Sequence, residues 1–158
     1  NFFALSRRLA TGRSEAVAYL VDLPGYGFAK VDDATRIRWD QLVGGYLQSR
    51  RMLVGVVLVM DSRRPLLGAD EELIGWLAGR EDVARLRLHL LLTKADQLGQ
   101  AETSRVLRQA EARADTLPMP TSVQIFSSLK KLGVAELQDA VGPQVATVMA
   151  LGLEAYAA

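Results

Sequence analysis

Ala16-Val17-Ala18-Tyr19-Leu20-Val21-Asp22-Leu23-Pro24-Gly25-Tyr26-Gly27-Phe28-Ala29-Lys30 decides the reading of this chain. The uncharged run Ala16 to Val21 predicts a strand, Asp22 ends it, and Pro24-Gly25 turns the chain. An Asp leaving a buried strand, with a Gly three residues on, suits one kind of chemistry. The carboxylate faces a magnesium shell, and the glycine, having no Cβ, lets a backbone N–H approach a phosphate oxygen.

Two later segments stand at the ends of further apolar strands and complete a nucleotide reading. Thr93-Lys94-Ala95-Asp96 follows the run Leu86 to Leu92. There the Asp96 carboxylate accepts from N1–H and the exocyclic amine of a guanine, while the Lys94 stem packs on the ring face. Adenine lacks that donor pair, and a carboxylate left unpaired rejects it by a factor on the order of 10⁴. Phe126-Ser127-Ser128 follows the short strand Ser122 to Phe126 and forms the loop whose backbone N–H meets the guanine O6. Taken alone, the first segment reads as a solvated loop and the second as an ST-turn. Their order after Asp22-Leu23-Pro24-Gly25 makes them specific.

A phosphate-binding loop is missing from the same pattern. Such a loop needs Gly-x-x-x-x-Gly-Lys-[Ser/Thr] between a strand and a helix, so that backbone N–H groups wrap the phosphates. The four lysines are Lys30, Lys94, Lys130 and Lys131, and none follows a Gly. Thr11-Gly12-Arg13-Ser14 has one Gly and no Lys, and reads as a hairpin turn.

The bulk composition bounds what remains. A chain of 158 residues with 49% hydrophobic and 23% charged residues is one globular domain with a core of its own. A net charge of +1 argues against a dedicated polybasic nucleic-acid surface. Without Cys there is neither a disulfide nor a thiolate metal site. The longest apolar run, Met52 to Met60, is about half of a bilayer crossing, so no membrane span is expected.

Along the chain, Asn1 to Leu5 and Ala16 to Asp22 predict an antiparallel hairpin. A helix is expected from about Ala34 to Arg50, with Trp39, Leu42, Val43, Tyr46 and Leu47 on one stripe. Leu53 to Asp61 is apolar on both faces and predicts a strand inside a covered parallel sheet. A helix opening at Asp70-Glu71-Glu72 and stopping at Gly79, a strand over Leu86 to Leu92, a helix over Glu102 to Asp115, the strand Ser122 to Phe126 and a helix from Val134 complete the series. Strands alternate with helices, so the fold class is a doubly wound α/β domain. In such a sheet ligands bind beyond the strand carboxyl ends, where Asp22, Asp61, Thr93 and Ser127 all fall. His89, the lone histidine, reads as a sheet residue, and Arg63-Arg64-Pro65 as an exposed loop able to touch RNA phosphate.

Asp22-Leu23-Pro24-Gly25-Tyr26-Gly27-Phe28-Ala29-Lys30-Val31, Trp39 with the Tyr46 to Arg50 helix, Asp61-Ser62-Arg63-Arg64-Pro65, Trp76-Leu77, Thr93-Lys94-Ala95-Asp96 and Phe126-Ser127-Ser128 together resemble the EngB (YihA/YsxC) family of bacterial GTPases. The resemblance covers essentially the whole chain. It implies a P-loop GTPase-like, mostly parallel sheet that here lacks the first strand, the phosphate loop and the first helix, and therefore an N-terminally incomplete G domain over residues 1–158. It implies GTP and GDP as ligands, held by Asp22, Leu23, Pro24, Gly25, Thr93, Lys94, Ala95, Asp96, Phe126, Ser127 and Ser128. Mg²⁺ is the implied cofactor, reached by Asp22 through water at best. Partners implied are the precursor of the large ribosomal subunit, with its rRNA and proteins, and a link to cell division and septum formation, all in the cytoplasm. No catalytic residue is assignable, because Tyr26 stands where many GTPases carry a water-orienting Gln, so slow hydrolysis is expected. The alternative is a non-hydrolysing pseudo-GTPase that docks on ribosomal RNA or protein. The missing first strand would lie between Ala16 to Asp22 and Leu53 to Asp61, so a gap or irregular pairing is expected there.

Overall fold

Gly12, with φ of 79°, folds the polar stretch between two extended segments back on itself, and the Gly12 N–H donates to the Leu9 carbonyl at 3.0 Å. The computed structural model describes residues 1–23, 37 and 40–142. Around that turn β1 (Phe2–Arg8) pairs antiparallel with β2 (Ser14–Val21), Phe2 opposite Val21 and Arg8 opposite Ser14. Both strands reach further toward the turn than their apolar residues indicate, because ladder bonding asks nothing of the side chains once the turn has set the register.

Three parallel strands form a second sheet in the order β3 (Gly55–Asp61), β4 (Arg87–Thr93), β5 (Thr121–Ile125). The crossovers are helical, through α2 (Gly68–Ala78) and α3 (Gln100–Ala114), and both follow α1 (Gly45–Ser49). The expected helix over 34–50 is helical at Ile37 and then π-helical over Asp40–Gly44 before α1; the rest of it, Trp39 included, lies outside the described residues. Gly44, just before α1, sits against Trp76 of α2, where an added Cβ would stand 3.3 Å from the indole, a contact close enough that the ring would have to give way slightly. In the first turn of α2 the Asp70 carboxylate accepts from the Leu67 N–H at 2.7 Å, which satisfies an orphan helix donor. Arg113 on α3 forks onto both Glu71 oxygens of α2, with Nε at 3.0 Å from each.

The core lies where α1, α2 and α3 cover the parallel sheet: Leu47, Leu58, Ile74, Leu77, Leu90 and Val106 are almost wholly buried. The central strand β4 is buried from Leu88 to Leu92, as a strand covered on both faces must be. That expectation also applied to Leu53 to Asp61 and holds there for one face only. Leu58 and Met60 are buried, whereas Val59, on the opposite face, is 52% exposed and lines an open cavity. Among the described residues the two sheets do not join, and β2 pairs with β1 alone. Where a gap was expected there is a cavity of about 1050 Å³, lined by Leu5, Leu20, Val57, Val59 and Leu73 among others.

Candidate base-binding site

Parallel register brings the strand ends to one rim. Asp61, the last residue of β3, lies opposite Thr93 at the end of β4, and Leu92 lies opposite Ile125 at the end of β5. The Thr93 hydroxyl donates to the Met60 carbonyl at 2.8 Å, and the Ser62 N–H donates to the Thr93 carbonyl at 2.9 Å. These bonds carry the ladder one step past the strands and fix where the loops leave the sheet.

Two of those loops interlock. The Ala95 N–H donates to the Phe126 carbonyl at 3.1 Å, and the Phe126 N–H donates to the Leu92 carbonyl at 2.8 Å. The Ser127 hydroxyl, on a fully buried residue, donates to Asp96 Oδ1 and accepts from the Lys130 N–H at 3.1 Å. Antiparallel bonds between Ser127 and Leu132 close the second loop, helped by left-handed backbone at Lys131 and Gly133. Asp96 itself is exposed, so its carboxylate is oriented from behind and open in front.

Lys94 also adopts left-handed backbone, φ 60° and ψ 29°, at a cost of roughly 1–2 kcal/mol for a residue with a Cβ. Flanking bonds hold it there, and its ammonium reaches Asp61 Oδ2 at 3.0 Å. Arg63 folds back on the same carboxylate: its backbone N–H and Nε donate to Oδ1 at 3.0 and 2.9 Å, and its outer nitrogen reaches Oδ2. The Arg63 bond above all, and Lys94 after it, hold the Asp61 carboxyl far below the usual carboxylate range against the opposing effect of burial. Sequence reasoning placed Asp61 at this rim but gave it no role, because the contact comes from a neighbouring strand 33 residues away.

His89 is buried in the central strand, with Nδ1 2.8 Å from the Ser122 hydroxyl and Nε2 3.0 Å from Gln124 Oε1. The Gln124 amide nitrogen donates to the Gly133 carbonyl, which sets the amide orientation and makes Nε2 the protonated nitrogen of His89. Burial lowers its pKa. It is a core residue beneath the rim, as its place in the strand predicts.

The chain is 43% identical over 131 residues to the probable GTP-binding protein EngB of Aromatoleum aromaticum, an alignment covering 82% of this chain. It is 44% identical over 124 residues, 76% of this chain, to that of Dechloromonas aromatica, and 41% identical over 142 residues, 90% of this chain, to that of Methylobacillus flagellatus. Over the region it spans, the chain belongs to the EngB family. It spans 58%, 54% and 62% of the length of these three EngB relatives. No family model matches it. Among solved structures, apo translation elongation factor SelB of Methanococcus maripaludis superposes with a TM-score of 0.57 at 16% identity, over 66% of this chain and 23% of that one, a likeness of fold alone.

Of the residues that the EngB motifs single out, the structure brings together Thr93, Lys94, Ala95, Asp96, Phe126 and Ser127, with Ser128 exposed on the second loop. Asp22 and Leu23 follow β2 and line the cavity, as does Asp61. Pro24, Gly25 and Tyr26 lie outside the described residues. Asp22 Oδ2 accepts from Asn1 Nδ2 at 3.1 Å, and no group of three His, Cys, Asp or Glu side chains able to hold a metal exists among the described residues. No helix among the described residues is long and apolar enough to cross a membrane.

Proposed function

We propose that this chain carries the guanine-reading half of a GTP/GDP site in a protein that uses GTP to assist assembly of the large ribosomal subunit. The observation that carries the reading is the interlock of the two loops. Ala95 is bonded to Phe126, and Ser127 orients Asp96, at the carboxyl ends of two neighbouring parallel strands. A carboxylate aimed out of such a rim pairs with a base offering two adjacent donors, which guanine does and adenine does not. The Lys94 stem, beginning two residues before Asp96, supplies a flat apolar surface for the ring. The GTP-binding names of the relatives support the same ligand.

Ribosomal precursor particles, a link to septum formation and a cytoplasmic site of action follow in this reading from the family resemblance. Magnesium enters with the nucleotide, Asp22 reaching it through water at most. Hydrolysis, with Tyr26 in place of a Gln, is slow in isolation and speeds up on the ribosomal particle. The test is nucleotide preference. Calorimetry should show GDP bound well above ADP, and Asp96→Asn should move the preference from guanine toward xanthine diphosphate, since the amide donates where the carboxylate accepted. Unchanged affinities for both would refute the assignment.

A further inference from the structure

We infer that Asp61 is a positioning residue for the guanine site, holding Lys94 so that its stem forms the surface on which the base lies. This rests on the guanine-site reading and adds to it a residue outside the three motifs.

The geometry has two layers. Arg63 occupies the Asp61 carboxylate from one side, through its backbone N–H and Nε on Oδ1 at 3.0 and 2.9 Å and its outer nitrogen on Oδ2. A carboxylate gripped by a planar fork has one orientation instead of several. From the other side Lys94 Nζ meets Oδ2 at 3.0 Å. A lysine stem otherwise has many rotamers, and fixing it on binding costs affinity. With both ends held, the backbone in its left-handed conformation and the ammonium on Asp61, the four methylenes have a fixed course across the rim before any base arrives. The register makes this possible, since Asp61 and Thr93 are directly paired and Lys94 is the next residue.

The opposite expectation is equally definite. Asp61 is a negative charge near a site for a polyanion, so if it did nothing for Lys94 its neutralisation would leave GDP binding unchanged or strengthen it.

A double-mutant cycle decides between the two. Asp61→Asn should weaken GDP and GTP alike by about tenfold, and Lys94→Ala by more. In the Lys94→Ala background Asp61→Asn should have no further effect, because there is no longer a stem to hold. Arg63→Ala, which leaves both other side chains in place, should give a smaller loss that also vanishes without Lys94. The xanthine preference conferred by Asp96→Asn should survive Asp61→Asn, since Asp96 pairs with the edge of the base whereas Asp61 acts, through Lys94, on its face. Equal effects of Asp61→Asn with and without Lys94, or tighter GDP binding, would overturn the positioning role while leaving the guanine site intact. Failure of the unsubstituted protein to bind GDP would overturn both.

Discussion

The Ser127 hydroxyl donates to Asp96 Oδ1 across 31 residues of chain, and Ser127 is wholly buried while Asp96 is exposed. A surface carboxylate is normally free to rotate, and here one oxygen is tethered to the protein interior. The tether turns a solvated aspartate into a directional acceptor, and it exists only because β4 and β5 are adjacent and parallel.

Removing the tether should therefore cost affinity without changing which base is read. Ser127→Ala is expected to weaken GDP binding by about tenfold, equivalent to roughly 1.4 kcal/mol, with the guanine-over-xanthine preference retained. Calorimetric titration of both nucleotides checks it. An unchanged GDP affinity would mean that Asp96 does not depend on Ser127.

Gly133 supports the same loop by a different route. Its φ is 81°, and a Cβ there would stand 2.5 Å from the Ile125 carbonyl oxygen and 2.8 Å from the Gln124 amide nitrogen. Neither neighbour yields cheaply, since one is strand backbone and the other also serves His89. Gly133→Ala should destabilise the fold by about 2–3 kcal/mol, seen as a lower urea midpoint with an unchanged slope. A loss under about 0.5 kcal/mol would show that the loop rearranges freely.

His89 makes stability depend on pH. Burial lowers its pKa below the ordinary value of 6.5, so on acidification the unfolded chain takes up a proton that the folded one still refuses. The contribution is complete above about pH 6.5 and is lost as pH falls from there toward the folded value. Asp61, also depressed but by ion pairing, retains its contribution above the ordinary carboxylate pKa and loses it in a separate window at lower pH. Denaturation at pH 7.5 and pH 5.5 should show a drop that His89→Gln, unable to titrate, flattens. An equal drop in the variant would assign the effect elsewhere.

Much of this was readable from residue order. The βα alternation, the parallel strands and the convergence of Asp61, Thr93 and Ser127 on one rim follow from apolar runs ending in polar turn residues. What the sequence could not supply is contact made across strands. The grip of Arg63 and Lys94 on Asp61 and the burial of Ser127 beneath Asp96 both depend on register, which hydrophobic pattern fixes by face and not by partner. Arg63 shows the consequence: in the sequence it is a loop arginine available to phosphate, and in the structure it is folded onto Asp61. The exposed face of β3 was hidden as well, since a strand apolar on both sides does not reveal whether both of its faces are covered.

The last prediction concerns the phosphates. None of the four lysines follows a glycine, so the Gly-Lys pair on which a phosphate loop depends occurs nowhere in the sequence. A triphosphate held by a full phosphate loop gains several charge-assisted hydrogen bonds, each contributing about 1.5–3 kcal/mol, so three of them are the difference of roughly a thousandfold or more in affinity. The base contacts at Asp96 and Lys94 do not compensate, because they are made equally to guanosine, GDP and GTP. Measured side by side with the EngB relative of Aromatoleum aromaticum, this 158-residue chain should bind GTP at least a thousandfold more weakly, show no difference between GTP and guanosine, and release no phosphate. Micromolar GTP affinity, or a clear preference for GTP over guanosine, would mean that some other part of the chain serves as the phosphate site.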